Sequence, residues 1–396
     1  MNDGLSRCVA RVPRGTRHVV AAVALVLLGL TVYAPVFTAR LLAWDDAVLV
    51  THNYRIQQLS AARVADIFRV QPRYGPQAFN LYVPLVELSV AIEYRLAGSR
   101  PRIYHTTNIV LHLINALLVW RLLRALGVSG AAAWLGAAVF AVHPLQVESV
   151  AWVAQRKNVL CGLFFFLSMI LHVRWRRTRH GAAYWAGVLT GVCALMSKPA
   201  AVTLPAVLLA YDVWYERRRI WPALARQAPV LVCAAVIAAV TYGVQHQHGA
   251  AAHPLALAWR ENIGVACRGL WWYVVKFVAP YDLGPVYVRD ALMPMHAWLI
   301  AGWLLGAAAL LAIIAATRRR APLMSLGLAW YVIVSIPTLQ LVPAGLQISS
   351  ADRFFYLPSV GLLLAACVLW QQLRQRARTA HVALCAACLA LAVWTY

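Results

Sequence analysis

The sequence predicts an all-α polytopic membrane protein, and three observations carry that expectation. Apolar runs of about 20 residues recur along the chain, and a run of that length crosses the hydrocarbon core of a bilayer. The mean hydropathy of the 396 residues is +0.67. The basic residues, which bring the net charge to +23, fall mainly in short clusters between the runs. That pattern sets topology. No aromatic-interleaved basic patch or nucleic-acid module is present, so no nucleic-acid partner is expected.

The elements follow in order. Arg7, Arg11, Arg14 and Arg17 precede a first run, His18–Phe37. The run is long for a signal peptide and no A-x-A-like site leads into a soluble domain, so it reads as an anchor with a cytoplasmic N-terminus. Residues 38–102 then form a long outer loop. It opens on Trp44-Asp45-Asp46, two adjacent carboxylates in a chain with only 13 acidic residues. Alone, the pair is either a solvated loop start or a functional acid. The pieces Ile56–Phe68 and Leu81–Leu96 are weakly amphipathic and suit the membrane surface. The loop's arginines serve either an anionic lipid phosphate or ordinary headgroups.

Span two, Tyr104–Leu123, carries His105, Asn108, His112 and Asn115 at spacings that put them on one helix face. Polar groups inside a span face a neighbouring helix or a cavity. Spans three and four, Ala131–Val142 and Val159–Val173, flank an outer connection that gathers His143, Glu148, Arg156 and Lys157. Such density in a charge-poor protein suits a phosphate or sugar site. Spans five and six, Ala183–Met196 and Ala200–Trp214, meet at Ser197-Lys198-Pro199, where Lys198 is either a snorkelling anchor or a point charge for phosphate.

Span seven is Pro229–Val244. His246, His248 and His253 follow without acidic or thiol partners, so no divalent metal is expected. Cys267–Ala279, with Trp271, Trp272, Tyr273 and Lys276, is read as interfacial or re-entrant; this keeps both later Arg clusters inside. Ala297–Ala316, Leu323–Leu341, Phe355–Trp370 and Val382–Tyr396 complete about eleven spans. The last outer loop adds Asp352 and Arg353. In this topology every such polar cluster lies on the Asp45 side.

Together these residues resemble a known family. Trp44-Asp45-Asp46, Tyr104-His105-x-x-Asn108, His143-Pro144-x-x-Val147-Glu148-Ser149-Val150-Ala151-Trp152, Arg156-Lys157, Ser197-Lys198-Pro199 and Ala351-Asp352-Arg353-x-x-Tyr356-Leu357-Pro358 resemble the transmembrane and TPR-containing protein O-mannosyltransferases and their bacterial relatives, of the GT-C superfamily. The resemblance implies that residues 1–396 form a GT-C catalytic domain with its acid in the first outer loop. It implies a polyprenyl-phosphate-linked, mannose-like hexose as donor and an acceptor hydroxyl on a protein Ser/Thr, a glycan or a lipid. By the same resemblance Asp45 and Asp46 are the acidic pair, one of them the base. His105, Asn108, His143, Glu148, Arg156, Lys157, Lys198, Asp352 and Arg353 are the expected substrate-binding residues, and inversion at the anomeric carbon is expected.

Two departures stand out. Val83-Pro84-Leu85 occupies the place where relatives would carry Arg before Pro-Leu, and no 34-residue TPR repeat is found. The expected location is the inner (plasma) membrane, with the active site and C-terminus outside. The rival reading is a flippase or transporter for a lipid-linked sugar, which would share the basic outer cavity but need no base. Inverted repeats, frequent in transporters, are not evident.

Overall fold

A computed structural model describes residues 14–70, 81–247, 259–288, 296–339, 348–374, 387–388 and 390–391. Helix α1 (Arg14–Val32) ends in a 3-10 turn, Ala34–Thr38, because Pro35 has no N–H to continue the ladder. The first outer loop holds a π turn (Ala47–Thr51), α2 (Ala61–Phe68) and α3 (Pro84–Ala97). Ser60 caps α2 by accepting from the Arg63 N–H at 3.3 Å. Helix α4 (Pro101–Ala125) carries the polar face, and α5 (Gly130–Val142) follows.

A broken connection links α5 to the next long helix. It consists of a 3-10 turn (Pro144–Gln146), α6 (Val147–Ala151) and a second 3-10 turn (Val153–Gln155), and it delivers the chain into α7 (Arg156–Thr178). Arg156 and Lys157, expected in the connection, therefore form the first turn of α7. The expected sixth span is not one regular helix. After α8 (Gly181–Ser197) come a 3-10 turn (Pro199–Thr203), α9 (Leu204–Ala210) and a π turn (Tyr211–Tyr215). Pro199 and Pro205 each remove a backbone donor there, so the ladder restarts.

Then follow α10 (Ile220–Gln247), α11 (Trp259–Val278), α12 (Ala297–Arg320), α13 (Pro322–Ser335) and α14 (Pro358–Arg374). Two short strands, β1 (Tyr287–Val288) and β2 (Ile348–Ser350), pair antiparallel. Among the described residues five helices are long and apolar enough to cross a membrane, and the α5–α6 pair, bent by 55°, makes a sixth if it is one span. Helix α11 is not among them. The expected span Val382–Tyr396 lies outside the described residues apart from 387–388 and 390–391. His248 and His253 and the side chain of His246 also fall outside them.

The core has three parts. The main one joins α1, α4, α5, α7, α9, α13 and α14. A second lies under the first loop, where Leu49, Val50, Ile67, Val86 and Val90 pack against Trp152 and Val153. The third joins α11 to α12 and α13 through Leu270, Tyr273, Leu310 and Tyr331. Lipid supplies little apolar drive between spans, so close backbone approach matters. At the α13–α14 crossing a Cβ on Gly327 would stand 2.6 Å from the Gly361 carbonyl, and one on Gly361 would stand 2.5 Å from that of Gly327. Only glycine fits on either side.

Candidate active site

The two neighbouring aspartates part ways. Asp46 is fully buried. Its Oδ2 accepts from the Leu42 N–H at 2.9 Å and its Oδ1 from the Ala154 N–H at 2.7 Å. Burial pushes its carboxyl above the usual range, and the two backbone donors pull it back. Asp46 thus ties the start of the first loop to the turn that feeds α7. The Asp45 side chain is 50% exposed, and its Oδ2 lies 3.7 Å from Nζ of Lys157, itself only 11% exposed.

Lys157 opens onto a chain of polar contacts. Asn158, the next residue on α7, donates to the Ser149 hydroxyl at 3.0 Å, to Gln155 Oε1 at 3.2 Å and to the Arg353 carbonyl at 3.1 Å. Its Oδ1 accepts from Nζ of Lys198, which also faces the Phe354 ring. Arg353 binds Glu148 twice: its guanidinium pairs with Oε1, and its backbone N–H donates to Oε2 at 2.6 Å. The guanidinium lies over Trp152, which meets Trp44 at 5.8 Å between ring centroids. Asp45, Glu148, Lys157, Lys198 and Arg353 therefore form one group, three cations against two carboxylates.

Burial, with Lys157 and Arg353 nearby, brings the Lys198 ammonium down to about 8. It is charged below that pH and neutral above it. A phosphate held by Lys198, as the sequence leads us to expect, should then lose affinity as pH rises past about 8, giving an alkaline limb in the pH dependence of phosphate-ligand binding. Lys198→Arg should shift that limb upward, because arginine stays charged. A limb at the same pH in both proteins would remove Lys198 from phosphate binding.

The remaining expected residues are built into the frame. Asn108 donates to the Val150 and Trp152 carbonyls, each at 3.2 Å, and accepts from Nε of Arg156. Arg156 is fully buried; it pairs with Glu93 of α3 at 3.1 Å and donates to the Tyr104 carbonyl at 2.9 Å. His105 lies buried against the backbone of Arg40 and Ala151. His143 accepts from the Leu145 N–H at 3.2 Å and donates from Nε2 to the Phe277 carbonyl at 3.0 Å, stacked on the Phe277 ring. Further along α4, His112 and Asn115 meet Tyr356, each at 2.9 Å. In the first loop Arg55 is likewise internal, 3.6 Å from Glu87.

Asp352 pins the strand region. Its Oδ2 accepts from the Gly284 N–H at 2.9 Å and its Oδ1 from the Tyr287 hydroxyl at 3.0 Å. Burial pushes its carboxyl up to about 7, against the pull of the Tyr287 bond and with the Glu148 charge adding to the rise. The folded chain therefore holds this proton more tightly than the unfolded one. Its contribution to stability is present at low pH and is lost as pH rises from about 4 through about 7. Asp352→Asn should flatten that part of the pH profile of the melting temperature in detergent. An unchanged slope would contradict the assignment. Among the described residues no group of three or more His, Cys, Asp or Glu is placed to hold a metal ion.

No protein-family model matches the chain. Protein O-mannosyl-transferase TMTC2 of Mus musculus is 34% identical over 142 residues, which make up 35% of this chain and 17% of that protein. The chain is a relative of the TMTC protein O-mannosyl-transferases. The match spans less than a fifth of that relative's length. A crystal structure of an Archaeoglobus fulgidus oligosaccharyltransferase tethered to an acceptor peptide superposes with a TM-score of 0.51 at 12% identity, covering 92% of this chain and 51% of that one. The archaeal oligosaccharyltransferase AglB from the same organism, in complex with an inhibitory peptide and a dolichol-phosphate, gives 0.50 at 13%, over 97% and 55%. At these identities the likeness is one of fold: this TMTC relative is a multi-pass membrane protein with the GT-C architecture.

In this TMTC relative, three organising residues escaped the sequence reading. Glu93 had a signal, an acid in the mostly apolar stretch Leu81–Leu96, where an acid turned inward requires a partner. Asn158 had a weaker one, a polar residue directly after Arg156-Lys157. Tyr287 had none, because its partner Asp352 lies 65 residues on.

Proposed function

We propose that the chain is a membrane glycosyltransferase that moves a mannose-like hexose from a polyprenyl-phosphate donor to an acceptor hydroxyl on the outer face of the membrane, a protein Ser/Thr being the acceptor class its relatives suggest. The observation that carries this is the half-exposed Asp45 carboxylate beside Lys157, in a group that also holds Lys198 and Arg353. A phosphate-linked sugar already bears its leaving group. The reaction then needs one base for the acceptor proton and cations for the departing phosphate.

Asp45 takes the hydroxyl proton as the acceptor oxygen attacks the anomeric carbon. The bond from that carbon to the phosphate oxygen breaks with inversion, and the polyprenyl phosphate leaves toward Lys157, Lys198 and Arg353. Glu148 orients Arg353. Asp46, Arg156, Asn108, His105 and His143 hold the frame, which moves Arg156 from the phosphate contacts expected of it to a bracing role. The archaeal neighbours, one tethered to an acceptor peptide and the other in complex with a dolichol-phosphate, support a lipid donor and a peptide acceptor. The test is incubation of the purified protein with polyprenyl-phosphate mannose and Ser/Thr peptides, read by mass spectrometry. A peptide gaining one hexose supports the reading. Movement of the lipid across a vesicle bilayer without product would favour the transporter instead.

A further inference from the structure

A second polar site lies at the other end of α7. Lys157 stands in the first turn of that helix and Arg176 near its last, and a helix of 23 residues is about 35 Å long. Arg176 meets the buried Asp212 at 2.9 Å, and Asp212 also meets His172 at 3.0 Å. Beyond Asp212 the chain turns sharply. Arg217 takes a left-handed conformation, φ 53°, fixed on both sides: the Glu216 N–H donates to the Tyr211 carbonyl at 3.0 Å and the Arg218 N–H to the Asp212 carbonyl at 2.9 Å.

That turn faces the C-terminal end of α12 across a cavity of about 860 Å³. Arg217 and Arg218 line one side, Arg318 and Arg319 the other, with Trp214 and Leu311 between them. The Arg318 guanidinium lies over the Trp214 ring. The charge is unbalanced. Asp212 is committed to Arg176 and His172, and Glu216 approaches Arg218 at 3.8 Å. Among the described residues no carboxylate meets Arg217, Arg318 or Arg319. On the cavity side of α12, Leu304 and Leu311, two turns apart, are exposed and continue the lining as an apolar wall.

We propose that this cavity binds an anionic phospholipid, its phosphate on Arg217, Arg218, Arg318 and Arg319 and its acyl chains along α12. Guanidinium forks match phosphate oxygens in pairs, and basic pockets between membrane helices suit anionic headgroups. Trp214 suits the headgroup level. The apolar wall selects a lipid over a free phosphate. The site stands apart from the proposed transfer reaction and does not depend on it.

The test is native mass spectrometry of the full chain in neutral detergent, titrated with cardiolipin, phosphatidylglycerol, phosphatidylcholine or inorganic phosphate. Both anionic lipids should be retained at lower concentration than phosphatidylcholine, and inorganic phosphate should not displace them. Each guanidinium removed should weaken retention about fivefold, so Arg318→Ala/Arg319→Ala should weaken it by more than about tenfold. Arg226→Ala/Arg374→Ala, outside the cavity, should leave it unchanged. If the first pair does not fold, Arg217→Gln carries the same expectation at about fivefold. Equal losses in cavity and control variants, no loss in the cavity variants, or displacement by inorganic phosphate would each overturn the proposal.

Discussion

Asp45→Asn is expected to lower kcat for hexose transfer by about 10²–10⁴-fold, the range that a positioned general base contributes. The variant keeps the shape of the side chain and its reach toward Lys157. It removes the ability to accept a proton, together with the negative charge that faces Lys157. The melting temperature should therefore hardly move, since a half-exposed ion pair at 3.7 Å contributes little to stability. Asp46→Asn should give the opposite pattern. Asparagine offers one carbonyl oxygen where Asp46 uses two, and its amide NH₂ would face a backbone N–H of Leu42 or Ala154. Leaving one buried donor unpaired costs about 1–3 kcal/mol. The melting temperature should fall, and activity only as far as the loop loosens. Initial rates with polyprenyl-phosphate mannose and thermal melts of both variants separate the roles. If Asp45→Asn keeps its rate while Asp46→Asn loses it at an unchanged melting temperature, the base is Asp46.

That separation shows what the sequence could express. The apolar runs, the basic clusters and the polar face from His105 to Asn115 are periodic or compositional, so they were legible in one dimension. The partners of that face were not: Asn108 reads the carbonyls of Val150 and Trp152, and His112 and Asn115 converge on Tyr356, 244 and 241 residues away. Adjacent residues on a helix point about 100° apart. Sequence could place Arg156 and Lys157 in the same block but could not tell that one turns into the frame while the other faces Asp45. The breaks at Pro199 and Pro205 were visible as residues. Their outcome, a span assembled from 3-10, α and π pieces, depended on packing against α8 and α10.

The Arg156 brace carries the largest stability effect. Its guanidinium joins α3 through Glu93 and Ser89, and α4 through Asn108 and the Tyr104 carbonyl, to the first turn of α7. Arg156→Met keeps most of the apolar stem but leaves the buried Glu93 carboxyl without its cation and the Asn108 oxygen without its donor. Removing one partner of a buried ion pair costs about 3–5 kcal/mol, so the melting temperature in detergent should fall sharply. Glu93→Gln should also destabilise, because it leaves the guanidinium short of a counter-charge. The double variant Arg156→Met/Glu93→Gln should recover part of the loss, since neither charge is then stranded. The coupling energy of that cycle measures the brace, whereas additive losses would mean that the two residues act independently. A phosphate ligand would behave differently. If Arg156→Met kept its melting temperature and raised the KM for the lipid donor, Arg156 would belong with Lys198 and Arg353 at the leaving group. The single variant alone decides between the two, because the brace predicts a change in stability where the ligand predicts a change in affinity.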